Sequence, residues 1–484
     1  MTLRYLLSLA ALAVSPSIAT AVPQDVLSPA TQAAGGLEAG LASVNADTLR
    51  SDIFFIASDE MGGRDSPSPQ QRIAARYIRA RLMRMGWEPG WKGSYFHPYT
   101  LPQWSMDLSQ TGLTVKDGKD EWSLVLGTDY FLHSSSGAIR DVAGEMVWIG
   151  DLTEADADDF KLDGRWAVGT ADRLSSRRRK AFASAGAVGV MVLPPKDAES
   201  TVADAQARTH KRMITPSLRG SAKASEFATL LLTETTAKRL TKAMGRVKPG
   251  KVLKIKAHET CVIGLEEAEL ENVMGLWPGS DPKLRNEVII ISAHYDHVGE
   301  RDNGDIYNGA DDNGSGTTGL LSLCEALTAY GPMRRTIMLQ WVSAEEKGLL
   351  GSAAWTKDPW LPEGMEAVCN VNIDMIGRNA GDELNITPTK DHAEYSWLTR
   401  VAEAHSPEEG FPKLGSADDY YWRSDHANYR KNMNIPVAFL FADVHEDYHK
   451  PTDTADKINI DKMRRVVRLV VRILDDLQGD KLGK

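Results

Sequence analysis

Histidines and carboxylates recur in this chain directly after apolar, strand-like runs. They are His294 and Asp296 after EVIIISA, Glu345 and Glu346 after IMLQWVSA, Asp374 after VCNVNI, and His449 a few residues past IPVAFLFADV. The carboxyl ends of parallel strands meet at one edge of a sheet, and the sites of open α/β folds form outside that edge. We therefore expect these side chains to lie close together.

Asp312 joins this set because it opens a helix that starts near Thr317. Imidazole and carboxylate groups are typical zinc ligands. A single catalytic zinc uses three protein ligands, whereas five ligands with one shared carboxylate suit two ions about 3.5–4 Å apart. Any one of these residues alone would be an ordinary polar residue at a strand end, but the whole set favours a two-metal site.

The adjacent pair Glu345 and Glu346 needs two separate roles. Consecutive side chains point in different directions, so one carboxylate can bind metal while its neighbour acts as general base on a water, as hydrolysis requires. The alternative is a helix N-terminus that attracts negative charge.

The elements after residue 257 alternate between apolar strands and amphipathic helices. This order predicts an α/β fold, a mixed and mostly parallel sheet with helices on both faces. Residues 136–256 have a different pattern of predicted elements, with strands such as EMVWIG and a helix that runs into the strand VMVLP. We predict that they form a small inserted α/β domain without chemistry, and that 22–135 and 257–484 form the catalytic domain.

Length and charge narrow the class of protein. A chain of 484 residues favours two or three domains. The net charge of −10 and the lack of a basic stripe argue against nucleic acid as a partner.

The N-terminus predicts a signal peptide over 1–21, because Arg4 precedes an apolar run and then Ala19-Thr20-Ala21. We expect a secreted or periplasmic protein with no membrane span in its mature chain. The three cysteines leave room for one disulfide.

The motifs SAHYDHVG, NGADDNGSG, VSAEEKGLLGS, NIDMIGR and YHKPTDT resemble those of the M28 family of zinc aminopeptidases. The resemblance implies a secreted zinc exopeptidase that removes N-terminal residues from peptides with a free N-terminus. It also implies two zinc ions and a zinc-exopeptidase (phosphorylase/hydrolase-like) fold. KLDGRWAVGTADR and AFASAGAVGVMVLP resemble a protease-associated (PA) domain, which would be the insertion.

The same resemblance assigns roles by position. His294 and Asp374 would hold one zinc, Glu346 and His449 the other, and Asp312 would bridge them. The remaining roles fall to Glu345 as the base that activates the metal-bridging water, Asp296 as the partner that orients His294, Tyr448 as an oxyanion donor, and Asp425-His426 near the substrate pocket. His297 and Asp311 have secondary places in this scheme. The resemblance also implies a cis peptide after Asp312.

Other functions remain open at this point. The same site could serve a carboxypeptidase or an acyl-amino acid hydrolase, a glutaminyl cyclase-like enzyme with one zinc, or a peptide-binding, receptor-like relative without metal. His445-Glu446-Asp447-Tyr448-His449 also matches H-E-x-x-H, a metalloprotease motif that needs both histidines on one helix. A strand before this motif and Pro451 after it disfavour that helix.

Overall fold

The computed structural model describes residues 35–133, 140–172, 174–195, 227–301 and 303–482. The predicted signal peptide, 1–21, lies outside the described residues. The α-helices are Gly36–Ser43, Ala46–Ile56, Pro69–Arg84, Ser176–Ser184, Glu234–Met244, Gly316–Tyr330, Leu350–Lys357, Trp397–His405, His426–Asn428 and Ile460–Asp476. Within the described ranges, no helix is long and apolar enough to cross a membrane.

Nineteen strands of the described residues, numbered in chain order, form three sheets. They are β1 Glu88–Pro89, β2 Phe96–Met106, β3 Gly112–Asp117, β4 Asp120–Leu124, β5 Tyr130–Leu132, β6 Arg140–Asp151, β7 Trp166–Thr170, β8 Gly189–Leu193, β9 Ala228–Leu232, β10 Val252–Cys261, β11 Ile263–Trp277, β12 Glu287–His294, β13 Gly299–Glu300, β14 Ile306–Tyr307, β15 Thr336–Val342, β16 Glu366–Ile373, β17 Asn385–Thr387, β18 Gly415–Ser416 and β19 Val437–Phe441.

The larger sheet confirms the predicted fold class. Its order is β1-β11-β15-β12-β16-β19-β17-β18, with β2 paired to β11. At its centre β12 runs parallel to β15 and β16, and β16 runs parallel to β19. At the flanks, β11 pairs antiparallel with β15, and β17 pairs antiparallel with β19. The central strands are buried along nearly their whole length, as expected for a parallel sheet that is covered on both faces.

Alternate residues of β12 belong to two different cores. Ile289 and Ile291 pack in the core that also contains the buried faces of the helices Gly316–Tyr330 and Ile460–Asp476. Val288 and Ile290 pack on the opposite face, with Trp355. Because side chains alternate across a strand, this division places helices on both faces and fixes which way each strand end projects.

The second sheet has the order β4-β3-β10-β6-β7-β8-β9-β5. It contains the described part of the predicted insertion, 136–256, and also takes in strands between 112 and 132, which we predicted to belong to the larger unit. β3 and β10 pair side by side in this sheet, so the chain enters and leaves it through neighbouring strands. The three cysteines are buried, and the structure places no disulfide among them.

Candidate metal centre

Parallel strand ends bring the predicted residues to one edge of the larger sheet. His294 is the last residue of β12, and it stands opposite Val342 at the end of β15. Glu345 and Glu346 follow β15, and Asp374 follows β16. The sheet register alone therefore brings four of the predicted residues near each other.

Two residues reach this edge from longer connections. Asp312 lies in the turn Ala310–Ser315, directly before the helix Gly316–Tyr330. His449 lies beyond β19, with a positive φ of 53°. The peptide bond between Asp312 and Asn313 is cis, as the resemblance implied.

A first group of ligand atoms consists of His294, Asp312 and Asp374. His294 Nε2 lies 3.3 Å from Asp374 Oδ1 and 3.4 Å from Asp312 Oδ1. All three residues are buried. One imidazole nitrogen thus faces two carboxylate oxygens at separations that suit ligands of a common ion.

A second group consists of Asp312, Glu346, His449 and His297. His449 Nε2 lies 3.0 Å from both Asp312 Oδ2 and Glu346 Oε1. His297 Nδ1 lies 2.9 Å from Glu346 Oε1. The structure therefore brings together all five residues predicted as ligands, and it adds His297, to which we gave only a secondary place.

Asp312 belongs to both groups through different oxygens. Its Oδ1 faces His294 and its Oδ2 faces His449. Burial and the neighbouring charge of Glu346 raise the pKa of Asp312. The carboxylate of Asp453 accepts the backbone N–H groups of Asp311 and Asp312, at distances of 3.0–3.2 Å, and so fixes the turn. A carboxylate with one oxygen directed to each group has the geometry of a metal bridge.

The histidines have few other partners. Among the described residues, His449 Nε2 and both ring nitrogens of His297 lack a hydrogen-bond partner. Buried polar atoms are normally satisfied, so such atoms directed at carboxylates call for an explanation. Neutral imidazoles that share a cation with the carboxylates provide one, and the donor types fit a zinc site.

Neighbouring polar groups hold the ligands in place. Ser424 Oγ donates a 2.8 Å hydrogen bond to Asp374 Oδ2. His294 Nδ1 lies 3.2 Å from the backbone oxygen of Asp296 and 3.7 Å from its carboxylate. The Asp296 carboxylate instead accepts the backbone N–H of Glu345 at 3.1 Å. Asp296 thus connects His294 with the residue that we predicted to be the base.

A cleft opens directly onto the first group. The described residues that line it are Asp312, Glu345, Asp374, Met375, Tyr420, Arg423, Ser424, Phe439, Phe441, Val444 and Tyr448. Burial raises the pKa of Glu345 well above its usual range, and the charge of Glu346 adds to this although His294 opposes it. Glu345 faces the cleft without belonging to either ligand group, the position that a general base needs. Tyr448 stacks on His449, with ring centroids 4.0 Å apart, and also faces the cleft.

The loop 419–422 and the predicted pair Asp425-His426 lie around this cleft in different environments. In the loop 419–422, Tyr420 lines the cleft, Tyr421 is buried in a core and Trp422 is 61% exposed. Asp425 is buried and accepts a 2.5 Å hydrogen bond from Ser352 Oγ. Its neighbour His426 stacks on Phe439, a residue of the cleft wall. These two residues therefore lie next to the cleft wall and are not part of its lining.

The H-E-x-x-H motif forms no helix. Residues 446–449 form turns, and the two histidines face different carboxylates. His445 Nε2 lies 3.4 Å from Asp311, whereas His449 lies next to Glu346. The motif therefore lacks the shared helix face on which its metalloprotease chemistry depends.

Sequence reasoning missed the contributions of His297, Arg64 and Asp453. His297 follows His294 by three residues in HYDH, and that spacing was the only available sign of a second histidine at the site. The Arg64 guanidinium donates to the backbone oxygens of Tyr295, Asn308 and Gly309. Like the Asp453 carboxylate, it acts on backbone groups of distant segments, which no local pattern reveals.

Residues 272–474 match the profile of Peptidase family M28. The matched segment contains all five residues predicted as ligands and Glu345, so the similarity to this peptidase family covers the candidate metal centre. A protein named "Probable leucine aminopeptidase" from Arthroderma otae is 30% identical over 230 residues, which cover 43% of this chain and 61% of that protein. Aminopeptidase YwaD from Bacillus subtilis is 26% identical over 41% of this chain and 43% of its own length. The match thus spans about three fifths or less of the length of these curated relatives.

Solved structures establish the fold over most of the chain. The aminopeptidase from Aneurinibacillus sp. strain AM-1 has a TM-score of 0.52 at 21% identity and covers 90% of this chain and 95% of its own. BSAP, a zinc aminopeptidase from Bacillus subtilis, also has a TM-score of 0.52, at 18% identity, and covers 91% and 97%.

Proposed function

We propose that this protein is a secreted two-zinc exopeptidase that removes N-terminal residues from peptides. Three observations support the proposal: the candidate metal centre, the family match, and the aminopeptidase names of the relatives. Secretion rests on the predicted signal peptide, 1–21.

The observation that carries the proposal is the division of Asp312 between two ligand groups. His294 and Asp374 would hold one zinc with Asp312 Oδ1, while Glu346 and His449 would hold the other with Asp312 Oδ2. Three carboxylates then offset most of the charge of two divalent cations. When bound, zinc would act as a Lewis acid that polarises the scissile carbonyl group and acidifies water.

Glu345 would move the proton in this reaction. Its carboxylate takes a proton from the attacking water, whose oxygen then bonds to the carbonyl carbon. As the C–N bond breaks, Glu345 gives that proton to the leaving amine. Tyr448 borders the same cleft, so its hydroxyl would donate a hydrogen bond to the carbonyl oxygen as negative charge develops there.

The cleft walls favour an apolar first residue in the substrate. Met375, Phe439 and Phe441 form one wall, and Tyr420 packs against Phe441 with ring centroids 5.0 Å apart. An aliphatic or aromatic side chain gains free energy by leaving water for such a surface. Leucine, methionine and phenylalanine are therefore the first candidates for the N-terminal residue.

Arg423 favours a second candidate function on the same site. Its side chain lines the cleft, and its guanidinium lies 5.4 Å from the ring centroid of Tyr420. A guanidinium is well suited to bind a carboxylate. A carboxypeptidase or an acyl-amino acid hydrolase would use that contact to hold the C-terminal carboxylate of its substrate.

A substrate panel separates the two candidates. The mature chain, loaded with zinc, is assayed on leucyl, phenylalanyl, lysyl and glutamyl reporter amides with free N-termini and on the same compounds after N-acetylation. N-acetylated amino acids and dipeptides with a free C-terminal carboxylate complete the panel. An aminopeptidase cleaves the free leucyl and phenylalanyl compounds, and acetylation abolishes cleavage. Preferential cleavage of acetylated substrates with a free C-terminal carboxylate, lost in Arg423→Gln, would support the second candidate and refute the first.

A further inference from the structure

His297 is a buried histidine that the M28 resemblance leaves outside the ligand set. Its side chain is fully buried. Its Nδ1 lies 2.9 Å from Glu346 Oε1 and 3.8 Å from Asp312 Oδ2. Within the described ranges, neither ring nitrogen has a hydrogen-bond partner. The imidazole therefore approaches two predicted ligands without forming an aligned hydrogen bond to either.

The second group has the dimensions of a tetrahedral zinc site. Zinc bonds of about 2.0–2.2 Å place tetrahedral ligand atoms about 3.3–3.5 Å apart. The separations measured within the group range from 2.9 to 3.8 Å. These nitrogen-to-oxygen separations bracket the spacing expected for ligands of one four-coordinate ion, and all four ligand atoms lie within 4.8 Å of one another.

We propose that His297 is a metal ligand and that it completes a four-ligand second position with Asp312, Glu346 and His449. This inference rests on the proposed two-zinc function and deepens it. The first position has three protein ligands: His294, Asp312 and Asp374. Since four protein ligands close a zinc site and three leave one place open, the two positions have different tasks.

The cleft points to the same division. Asp312 and Asp374 line it, whereas His297, Glu346 and His449 are not among the described residues of its lining. The first position therefore contributes two carboxylates to the cleft lining, whereas the second contributes Asp312 alone. We expect the second position to fill first and to retain its ion longer during chelation.

The chain holds the His297 ring rigidly. The backbone N–H of His297 donates to the backbone oxygen of Arg64 at 3.4 Å. Gly309, with a φ of 56°, leaves room for the imidazole, since a Cβ atom there would overlap the ring. A preorganised ring costs little ordering when it binds an ion. The competing explanation is a buried ion pair between His297 and Glu346 that never contacts metal.

A cysteine at position 297 tests direct ligation. His297→Cys is prepared without zinc and titrated with Co²⁺. A thiolate bound to cobalt gives a sulfur-to-metal charge-transfer band in the near ultraviolet. The matched control is His445→Cys, because His445 is also a buried histidine beside a carboxylate but belongs to neither group. The wild type controls for the three native thiols.

We expect the band in His297→Cys and in neither control. If His297→Cys binds cobalt without the band, His297 is not a ligand. If the cysteine variant fails to fold, His297→Gln, checked by circular dichroism, still decides the question through zinc affinity. Replacing a group that merely orients a ligand costs about 10–100-fold in metal affinity, so loss of a ligand should weaken the tighter step by more than about 100-fold, and a smaller loss overturns ligation.

The outcomes separate this inference from the proposed function. Two binding steps in the wild type, with only the tighter one weakened by more than about 100-fold in His297→Gln, support both. Two unchanged steps in His297→Gln overturn the role of His297 and leave the two-zinc function standing. A single binding step in the wild type contradicts the two-zinc function. In that case, weakening of the step in His297→Gln still supports ligation by His297, and an unchanged step overturns it. No zinc binding in the wild type overturns both.

Discussion

The guanidinium of Arg64 donates a 2.9 Å hydrogen bond from Nε to the backbone oxygen of Tyr295, 231 residues later in the chain. Its other nitrogens donate to the backbone oxygens of Ile56, Asn308 and Gly309 at 2.6–3.0 Å. One buried side chain thus joins an N-terminal helix to the end of β12 and its following loop, which carry His294 and His297, and to the turn that carries Asp312. Burial lowers the pKa of Arg64 to about 10 while nearby carboxylates oppose this, so the group is charged at neutral pH.

Arg64→Lys should therefore weaken both the fold and the candidate metal centre. A lysine ammonium cannot reach four separate acceptors from this position. We expect the free energy of unfolding to fall by at least about 3 kcal/mol, because buried carbonyl groups lose charged donors. Urea unfolding measures this loss, with Arg72→Lys, an exposed arginine on the helix Pro69–Arg84, as the control. Equal stability of the two variants would contradict the clamping role of Arg64.

Gly309→Ala should disturb the second ligand group. A Cβ atom at this position would overlap the backbone oxygen of Asp312 and the ring of His297, in addition to the cost of a φ of 56°. Gly304→Ala is the matched control, since Gly304 has a φ of 83° but open space around it. The control should lose about 1–2 kcal/mol for the left-handed backbone.

The effect of Gly309→Ala should exceed that of the control in two measurements. We expect at least about 2 kcal/mol of additional destabilisation from the overlap, and a lower zinc affinity. Thermal unfolding and zinc titration of both variants measure these effects. If the two variants behave alike, close packing at Gly309 is unimportant.

Glu345→Gln should separate proton transfer from metal binding. The amide keeps the size of the side chain but cannot take a proton, so kcat should fall at least about 100-fold. Zinc content should stay unchanged, because Glu345 belongs to neither ligand group. Glu346→Gln provides the contrast and should lose zinc affinity. A Glu345→Gln enzyme with near-normal kcat would refute its role as base.

His405 gives a pH-dependent contribution to stability far from the cleft. Burial opposes its charge, but contacts with Glu408 at 2.8 Å and Asp476 at 3.0 Å outweigh this and raise its pKa above the ordinary 6.5. A raised pKa in the folded state stabilises the fold below the unfolded pKa, and this contribution disappears as the pH rises through the folded pKa. His405→Gln should therefore lose stability at about pH 6 and lose little at about pH 9. A loss of equal size at both pH values, measured by urea unfolding, would contradict this.

The sequence predicted most where local pattern and sheet geometry agree. The apolar runs before His294, Glu345 and Asp374 are the buried parallel strands β12, β15 and β16, so their ends had to meet. The fold class and the meeting of His294, Glu346 and Asp374 followed from that rule, whereas Asp312 and His449 reach the site through longer connections. The second sheet was harder to delimit, because β3, β4 and β5 look locally like any short strands and only their pairing partners show where they belong.

The place of His297 could not be read from its neighbours. A loop after a strand can turn either way, and here its direction depends on Arg64 and Gly309, both remote in sequence. The same holds for the cleft: Tyr420, Tyr421 and Trp422 are adjacent in sequence, yet they lie in the cleft wall, in a core and in solvent.

Zinc titration of the metal-free protein tests the central claim most directly. Chelated protein is assayed on a leucyl reporter amide with a free N-terminus while zinc is added in known equivalents. The two-zinc exopeptidase function predicts no hydrolysis without metal and full activity only when about two equivalents are bound. Hydrolysis by fully chelated protein, or full activity with a single bound equivalent, would contradict it.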